Sequence, residues 1–323
     1  MNRPILVTGM QRAGKTMVSD RLALSNAVIK ISEPFNPNKN VNGIYHHKFD
    51  KRYTYINSLN EKFYYPNILK TINKCFILKN SIYKKKIFKE VARYKNRRAI
   101  EKYINFTWAK ISNKRSLVDD PFAAFSAEWM AQKFDMQVIV IIRHPAAIVA
   151  NFVKNRWGFP FTHLLEQPLL MKDHLSPYRN LIESYSINHM DILHQCSLLW
   201  QLVYSTLEKF RGAHSDWLFI RHEDITRKPI ESYHNIFNFL TLDIPQKVNQ
   251  SLNIGDYNSS DNHELFSYSI HECNFWKEYL SLEEICLIRN LVEDTPDSGD
   301  VGDSSYLKKY CFLQHLDCIH DDI

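Results

Sequence analysis

Short apolar runs alternate with helical patterns along most of the chain. Pro4–Val7 is an apolar run of β-forming character, and Met17, Val18 and Leu22 then recur at helical spacing. Residues 136–142 (MQVIVII) are apolar and β-branched, as is typical of a parallel strand buried on both faces. Strands alternating with helices predict an α/β protein with a P-loop-type central parallel sheet flanked by helices. Further strands are predicted at 27–31 and 217–220, and helices at 122–133, 146–154, 187–210, 230–240 and 280–292.

Two stretches lack this alternation. Residues 36–62 are polar and aromatic, which predicts a long loop or lid, and residues 63–115 look mostly helical and basic. We expect one domain over 1–323, with a helical and basic insertion at about 40–115 on the acceptor side. Residues 157–185 are expected to be irregular and to form the acceptor mouth.

The segment 84–98 carries eight positive side chains and one acidic residue, Glu90. Such a run is usually a solvated helix face. Beside an anion site, it would also attract an anionic acceptor or an acidic membrane surface. Both interpretations stay open.

A phosphate-binding loop is predicted where the first strand meets the first helix. Residues 9–16 spell G-x-x-x-x-G-K-T, and glycines there let backbone N–H groups form an anion nest at a helix N-terminus. The alternative is a tight turn that happens to carry Gly and Lys. The residues expected to bind the ligand are Gly9, Gln11, Arg12, Ala13, Gly14, Lys15, Thr16 and Met17.

Two further strand ends carry candidate functional residues. Pro34 disfavours helix at Glu33, so we expect Glu33 to be extended at the carboxyl edge of the second strand, where open α/β sheets bind ligands. The alternative is a surface carboxylate before a turn. Arg143 ends the strand 136–142, and Asn151 lies about two turns along the next helix, which together indicate a second anion site.

Composition narrows the classes of partner. The net charge of +6 suits an anionic ligand, but it is too mild and too scattered to indicate nucleic acid binding. Six cysteines without a C-x-x-C spacing indicate reduced thiols in a cytoplasmic protein, and no signal peptide or apolar membrane span is apparent. No zinc pattern is present, and His46-His47 is more simply a polar loop pair than a ligand pair.

These landmarks together resemble the sulfotransferases that use 3′-phosphoadenosine 5′-phosphosulfate (PAPS), and in motif style the carbohydrate sulfotransferases most. The resemblance covers roughly residues 4–35 and 116–242. Two departures are an asparagine at 151, where the family usually has serine, and Lys15, which completes a Walker A motif that the family usually lacks. The matching segments are Arg12–Thr16 for the 5′-phosphosulfate loop, Glu33-Pro34-Phe35, Asp120-Pro121, Arg143 with Pro145 and Asn151 for the 3′-phosphate, Trp200, and 217–229.

The resemblance implies in-line transfer of a sulfuryl group from PAPS, with no metal required. Lys15 and Arg12 would neutralise charge on the leaving group, Arg143 and Asn151 would hold the 3′-phosphate, and Glu33 would be the catalytic base. The acceptor would be a hydroxyl of a carbohydrate or glycolipid precursor, while a small alcohol, a phenol or an amine stays compatible. His46, His47, His144 and His163 remain alternative bases.

Two other classes are weighed against this one. A P-loop kinase or NTPase that uses ATP and Mg²⁺ should carry an aspartate at the end of a core strand. The best core strand ends in Arg143 instead, and only the weak segment SLVDD at 116–120 offers a carboxylate, so sulfotransfer is favoured. A non-catalytic nucleotide-binding or membrane-docking module would leave Glu33 and the second anion site without a purpose.

Overall fold

The computed structural model describes residues 3–38, 49–73, 114–188, 190–253 and 270–293. His46, His47, the basic run 84–98 and most of the expected insertion at 40–115 lie outside these ranges. The predictions that rest on them are therefore not addressed by the structure.

Five parallel strands form the central sheet of the described residues, in the order β2-β3-β1-β4-β5. The predicted α/β architecture, with a central parallel sheet flanked by helices, is confirmed. The central strand β1 is buried along its whole length, as a strand covered on both faces must be. The strands are β1 Ile5–Thr8, β2 Val28–Ser32, β3 Arg115–Asp119, β4 Gln137–Ile142 and β5 Leu218–Arg221.

Helices connect and cover these strands. Helix α1 contacts β1, β2 and β3, and α3 contacts β1 and β4. None of the described helices is long and apolar enough to cross a membrane. The helices are α1 Lys15–Ala23, α2 Glu61–Asn73, α3 Ala127–Phe134, α4 Pro145–Asn155, α5 Thr162–Leu165, α6 Pro168–Asp173, α7 Arg179–Ile187, α8 Ile192–Ala213, α9 His222–Arg227, α10 Pro229–Phe239, α11 Gln246–Asn253, α12 Ile270–Tyr279 and α13 Leu282–Glu293, with 3₁₀ turns at Ala124–Ser126 and Ser176–Tyr178.

The region 157–185 differs from its prediction. It was expected to be irregular, but it contains the short helices α5 and α6 and most of α7. The helix predicted at 187–210 begins later, at Ile192, because the Asp191 carboxylate accepts the His194 backbone N–H and caps the helix start there. Short helices separated by proline and aromatic residues leave little 3.6-residue periodicity to detect.

The weakest predicted segment, SLVDD, is in fact a core strand. All five residues of β3 are buried, and β3 lies between β2 and β1. Its polar residues tolerate burial because they are paired: the Arg115 guanidinium donates to the backbone oxygens of Arg3 and Leu240, and Asp119 contacts two lysines. The argument that no good core strand ends in a carboxylate is therefore wrong.

Parallel strands bring their carboxyl ends to one edge of the sheet. The residues that follow the five strands therefore gather there. They are Gly9 after β1, Glu33 after β2, Asp120 after β3, Arg143 after β4 and His222 after β5.

Candidate active site

Two glycines give the phosphate loop its shape. Gly9 has φ +136°, and a Cβ at this position would lie 2.3 Å from the backbone oxygen of Ile141 in β4. Gly14 has φ +94°, and its Cβ would lie 2.3 Å from the His222 Nδ1. No side chain fits at either position, so the loop backbone lies directly against β4 and α9.

The other loop residues divide into exposed and buried side chains. Arg12 and Thr16 are exposed, whereas Ala13 and Met17 are buried in the core, so these two can offer a ligand only backbone groups. Gln11 is half-buried. Gly14 is the N-cap of α1 and has no side chain to cap the helix, which leaves the first-turn N–H groups for an anion.

The Arg12 guanidinium is held by an aromatic ring. Its central carbon lies 4.6 Å from the centroid of Trp157, just beyond the end of α4, and Trp157 remains 39% exposed. The backbone of Arg12 also has φ +66°, which is uncommon for any residue other than glycine. This stacking holds the exposed guanidinium of the loop beside Trp157.

Lys15 does not point into solvent. It is 4% exposed, and its ammonium lies 2.9 Å from Asp119 Oδ1 and 3.4 Å from Glu33 Oε1. The other oxygen of Asp119 lies 2.9 Å from the Lys30 ammonium, which in turn lies 2.6 Å from Asp20. Alternating charges thus run from α1 through β2 and β3 to Glu33.

Neighbouring groups of opposite charge shift the pKa values of Asp119 and Lys30. Burial alone would raise the pKa of Asp119, but the ammonium groups of Lys15 and Lys30 hold that pKa below its usual value. Burial alone would lower the pKa of Lys30, but Asp119 and Asp20 raise it above its usual value. Asp119 and Lys30 are therefore both charged at neutral pH.

Glu33 is not extended, contrary to its prediction. It has φ +51°, in the left-handed region, because its backbone N–H donates to the oxygen of Asp119 at 2.7 Å and the Phe35 N–H donates to Asp120 Oδ2 at 2.6 Å. The Asn36 amide donates to Glu33 Oε2 at 2.8 Å. The turn is therefore fixed by tertiary contacts that override the local effect of proline, and such strain is typical of functional sites.

The Asp120 carboxylate holds the turn at Glu33-Pro34-Phe35 in place. Asp120 is fully buried, and its carboxylate accepts the backbone N–H groups of Phe35 and Phe122. Burial raises the pKa of Asp120 to about 7, despite these two donors and the nearby Lys15. A carboxyl held in this way positions backbone rather than substrate.

Arg143 reaches the phosphate loop. Its guanidinium donates to the backbone oxygen of Arg12 at 2.8 Å, and its own backbone oxygen accepts the Trp200 indole N–H at 3.1 Å. It is nearly buried, at the carboxyl end of β4. The structure therefore brings the two predicted anion-binding segments together.

Asn151 is already hydrogen-bonded within its own helix. It lies in α4, half-buried, and its side-chain amide donates to the backbone oxygen of Ala147 one turn earlier at 2.9 Å. An amide has two N–H bonds, so one remains for a phosphate oxygen.

His222 was given no role by the sequence, yet it faces the loop. It is 2% exposed, and within the described residues neither ring nitrogen has a hydrogen-bond partner. Burial, together with the charge of Arg143, lowers the pKa of His222 to about 3, so the imidazole is neutral. A neutral imidazole offers one donor and one acceptor nitrogen, and here both are buried where the ring packs against Gly14.

The two described histidines among the alternative bases have structural contacts. His144 is the N-cap of α4, where its Nδ1 accepts the Ala146 N–H, and its ring stacks on Trp276. His163 Nδ1 accepts the Arg52 backbone N–H. Among the described residues, no cluster of His, Cys, Asp or Glu is arranged to hold a metal ion.

The sequence itself decides the family. A model described as "Sulfotransferase family" matches residues 4–246. The chain belongs to the sulfotransferase family. It is therefore a transferase enzyme that carries out sulfotransfer, a reaction that requires a sulfate donor and a small-molecule acceptor. The kinase and non-catalytic alternatives are set aside by this match.

Solved structures of sulfotransferases are similar to this chain at low identity. The sulfotransferase domain from the curacin biosynthetic pathway is 14% identical, with 96% of this chain and 98% of that chain covered and a TM-score of 0.45. The domain from the Synechococcus PCC 7002 olefin synthase is 16% identical, with 91% and 96% covered and a TM-score of 0.40. Mouse sulfotransferase SULT7A1 complexed with PAP is 12% identical, with 96% and 89% covered and a TM-score of 0.43. No curated protein matches the sequence significantly.

Proposed function

We propose that this sulfotransferase moves a sulfuryl group from PAPS to a hydroxyl of a carbohydrate or glycolipid precursor. One observation carries the proposal: the Lys15 ammonium at the start of α1 lies 3.4 Å from Glu33 Oε1. A cation of the phosphate loop and a candidate base are thus adjacent. That is the arrangement needed to bind a donor and activate an acceptor in one place.

The loop suits the phosphosulfate end of PAPS. It combines backbone N–H groups at the start of α1 with the exposed side chains of Arg12 and Thr16. Arg143 at the end of β4 is proposed to bind the 3′-phosphate together with Asn151.

Glu33 is proposed to accept the proton of the acceptor hydroxyl. When bound, the donor supplies an electrophilic sulfuryl group whose bond to the bridging phosphate oxygen breaks as the bond to the acceptor oxygen forms. Arg12 and Lys15 counter the negative charge that develops on that bridging oxygen. No residue is covalently modified, and protein cations supply the charge stabilisation without a metal.

The acceptor class rests on the Glu33-Pro34-Phe35 segment and its resemblance to carbohydrate sulfotransferases. Small alcohols, phenols and amines are the alternatives to be tested. We further propose one domain over 1–323, with the segment 84–98 able to attract an anionic acceptor or membrane surface and no nucleic acid partner. A cytoplasmic location stays a prediction of the sequence.

The test compares two isosteric variants. Glu33→Gln keeps the shape of the side chain but cannot accept a proton, so turnover of PAPS with a panel of sugars, alcohols and phenols should fall at least about 100-fold. Binding of adenosine 3′,5′-bisphosphate should not weaken in this variant, because that product makes no demand on a base. Glu231→Gln, at an exposed carboxylate of α10 paired with Lys228, is the matched control and should leave both unchanged.

A Glu33→Gln enzyme with wild-type turnover would remove Glu33 from the reaction. Lys15→Ala, in contrast, should lose turnover and also weaken bisphosphate binding. Identical donor affinity in Lys15→Ala and wild type would show that the loop cation does not serve the donor.

A further inference from the structure

The described structure contains a buried carboxylate that the family resemblance does not use, Asp119. It is 2% exposed at the end of β3, with Lys15 and Lys30 each 2.9 Å away, one at each carboxylate oxygen. Removing such a carboxylate would leave two ammonium groups facing each other. Asp119 therefore neutralises two lysines that would otherwise repel each other. Through Lys15, it is in direct contact with the end of the phosphate loop.

Lys15 is shared between two carboxylates. Its ammonium is closer to Asp119, at 2.9 Å, than to Glu33, at 3.4 Å. The backbone of Asp119 also accepts the Glu33 N–H at 2.7 Å. One residue thus fixes both the cation of the loop and the backbone of the candidate base.

We propose that Asp119 is a positioning residue of the transfer reaction: it holds the Lys15 ammonium at the junction of the phosphate loop and Glu33, so that one cation serves both the donor anion and the base. This inference rests on the proposed function. An anionic donor draws the ammonium toward the loop and away from Glu33, which frees that carboxylate to accept a proton. Without a donor, the ammonium stays on the two carboxylates.

The charged groups around Glu33 determine the expected pH effects. Without the negative charge of Asp119, the Lys15 ammonium has Glu33 as its only carboxylate partner of the two. The ionised form of Glu33 is then favoured, so its pKa falls and it becomes a weaker base. Removing Lys30 should raise the pKa of the Glu33 carboxyl instead, because Asp119 then has only Lys15 as a counter-charge and attracts its ammonium away from Glu33. In the described part of the chain, the charged groups near Glu33 include Lys15 from α1 and Asp119 and Asp120 from the end of β3. Lys30 of β2 contacts Asp119 on its other oxygen, and Asp20 of α1 contacts Lys30.

The first experiment is a double-mutant cycle on ligand binding. Calorimetry with adenosine 3′,5′-bisphosphate is run on wild type, Asp119→Asn, Lys15→Met and the double variant, and the stoichiometry reports the folded fraction of each. Asp119→Asn should tighten binding by about threefold or more in the wild-type background and by less than about twofold in the Lys15→Met background. Direct repulsion between Asp119 and the ligand is the same in both backgrounds, so the difference measures the effect that acts through Lys15.

The second experiment is the pH profile of PAPS hydrolysis, with water in place of the acceptor hydroxyl. The acid limb of kcat/KM should move to lower pH by roughly half to one unit in Asp119→Asn and to higher pH in Lys30→Met. The plateau rate of Asp119→Asn per folded molecule should fall, although its ligand binds more tightly. Asp120 titrates in every variant, so the shifts are read as differences from wild type.

Equal effects of Asp119→Asn in both backgrounds, or acid limbs that coincide in all variants, would overturn the inference and leave Asp119 as a structural ion-pair partner. A wild-type protein that binds no bisphosphate would overturn the proposed function as well. The two failures are therefore distinguishable.

Discussion

The replacement of Gly14 by alanine tests the geometry of the phosphate loop. Gly14 has φ +94°, which costs a residue with a Cβ roughly 1–2 kcal/mol. The new methyl group would also lie 2.3 Å from the His222 Nδ1, and forcing a buried ring to move costs about 1–3 kcal/mol. We expect Gly14→Ala to lower the free energy of unfolding by about 2–5 kcal/mol and to weaken bisphosphate binding at least about tenfold.

Urea unfolding and calorimetry measure the two effects. Gly212→Ala is the matched control, because no atom lies within 4 Å of the Cβ position on the exposed side of α8, and it should stabilise by about 0.5–1 kcal/mol. Adding His222→Ala to Gly14→Ala removes the collision but not the backbone strain, so only part of the unfolding free energy should return. Wild-type stability and binding in Gly14→Ala would refute the loop geometry.

Three further predictions concern the surroundings of the loop. The pKa of His222 is about 3 in the folded protein against an ordinary 6.5, so below pH 6.5 the unfolded chain binds a proton that the folded protein does not. In urea unfolding from pH 6 to 4, the free energy of unfolding of wild type should therefore fall by about 1.4 kcal/mol per pH unit relative to that of His222→Gln. Equal slopes in the two proteins would contradict the burial of His222. Tyr204→Phe removes a hydroxyl that donates to the Ile141 oxygen and accepts the Met10 N–H, so the free energy of unfolding should fall by about 2–4 kcal/mol; a loss under about 0.5 kcal/mol would refute that role. Trp157→Ala releases the Arg12 guanidinium and should weaken bisphosphate binding about three- to tenfold, whereas unchanged affinity would show that the stacking does not orient it.

The sequence predicted the elements whose patterns are purely local. The run 136–142 is apolar and β-branched, so β4 and its terminal arginine could be located without a structure. The loop motif between β1 and α1 predicted the glycine-rich turn at the start of α1 for the same reason. Parallel strands end at one edge, so Glu33 and Arg143 could be expected near the loop.

The remaining features depend on which strands are neighbours. SLVDD has too few apolar residues to predict a buried strand, and its burial is possible only because Asp119 meets Lys15 and Lys30 from two other elements. The register that pairs Asp119 with Ser32 of β2 is a tertiary fact with no local signal. Lys15 itself gave one indication, because a lysine that is buried in the loop must be paired with a carboxylate to remain charged.

His222 and Glu33 illustrate two other limits. His222 follows an ordinary short strand, and its importance lies in the distance to Gly14, more than 200 residues away in sequence. The left-handed conformation of Glu33 opposes the extended conformation that Pro34 favours. It is stabilised at the carboxyl end of β3, where the Asp119 oxygen accepts the Glu33 backbone N–H. Local rules fail at both positions because tertiary contacts with the loop or with β3 decide the outcome.

We propose above that this sulfotransferase takes its sulfuryl group from PAPS. The most direct test is calorimetry of the purified chain with adenosine 3′,5′-bisphosphate, without metal, against ATP with Mg²⁺. We predict metal-independent binding of the bisphosphate that is at least about tenfold tighter than binding of ATP with Mg²⁺ and that weakens when Arg143 is replaced by methionine. Preference for ATP with Mg²⁺, or equal affinity in Arg143→Met, would contradict the proposed donor site.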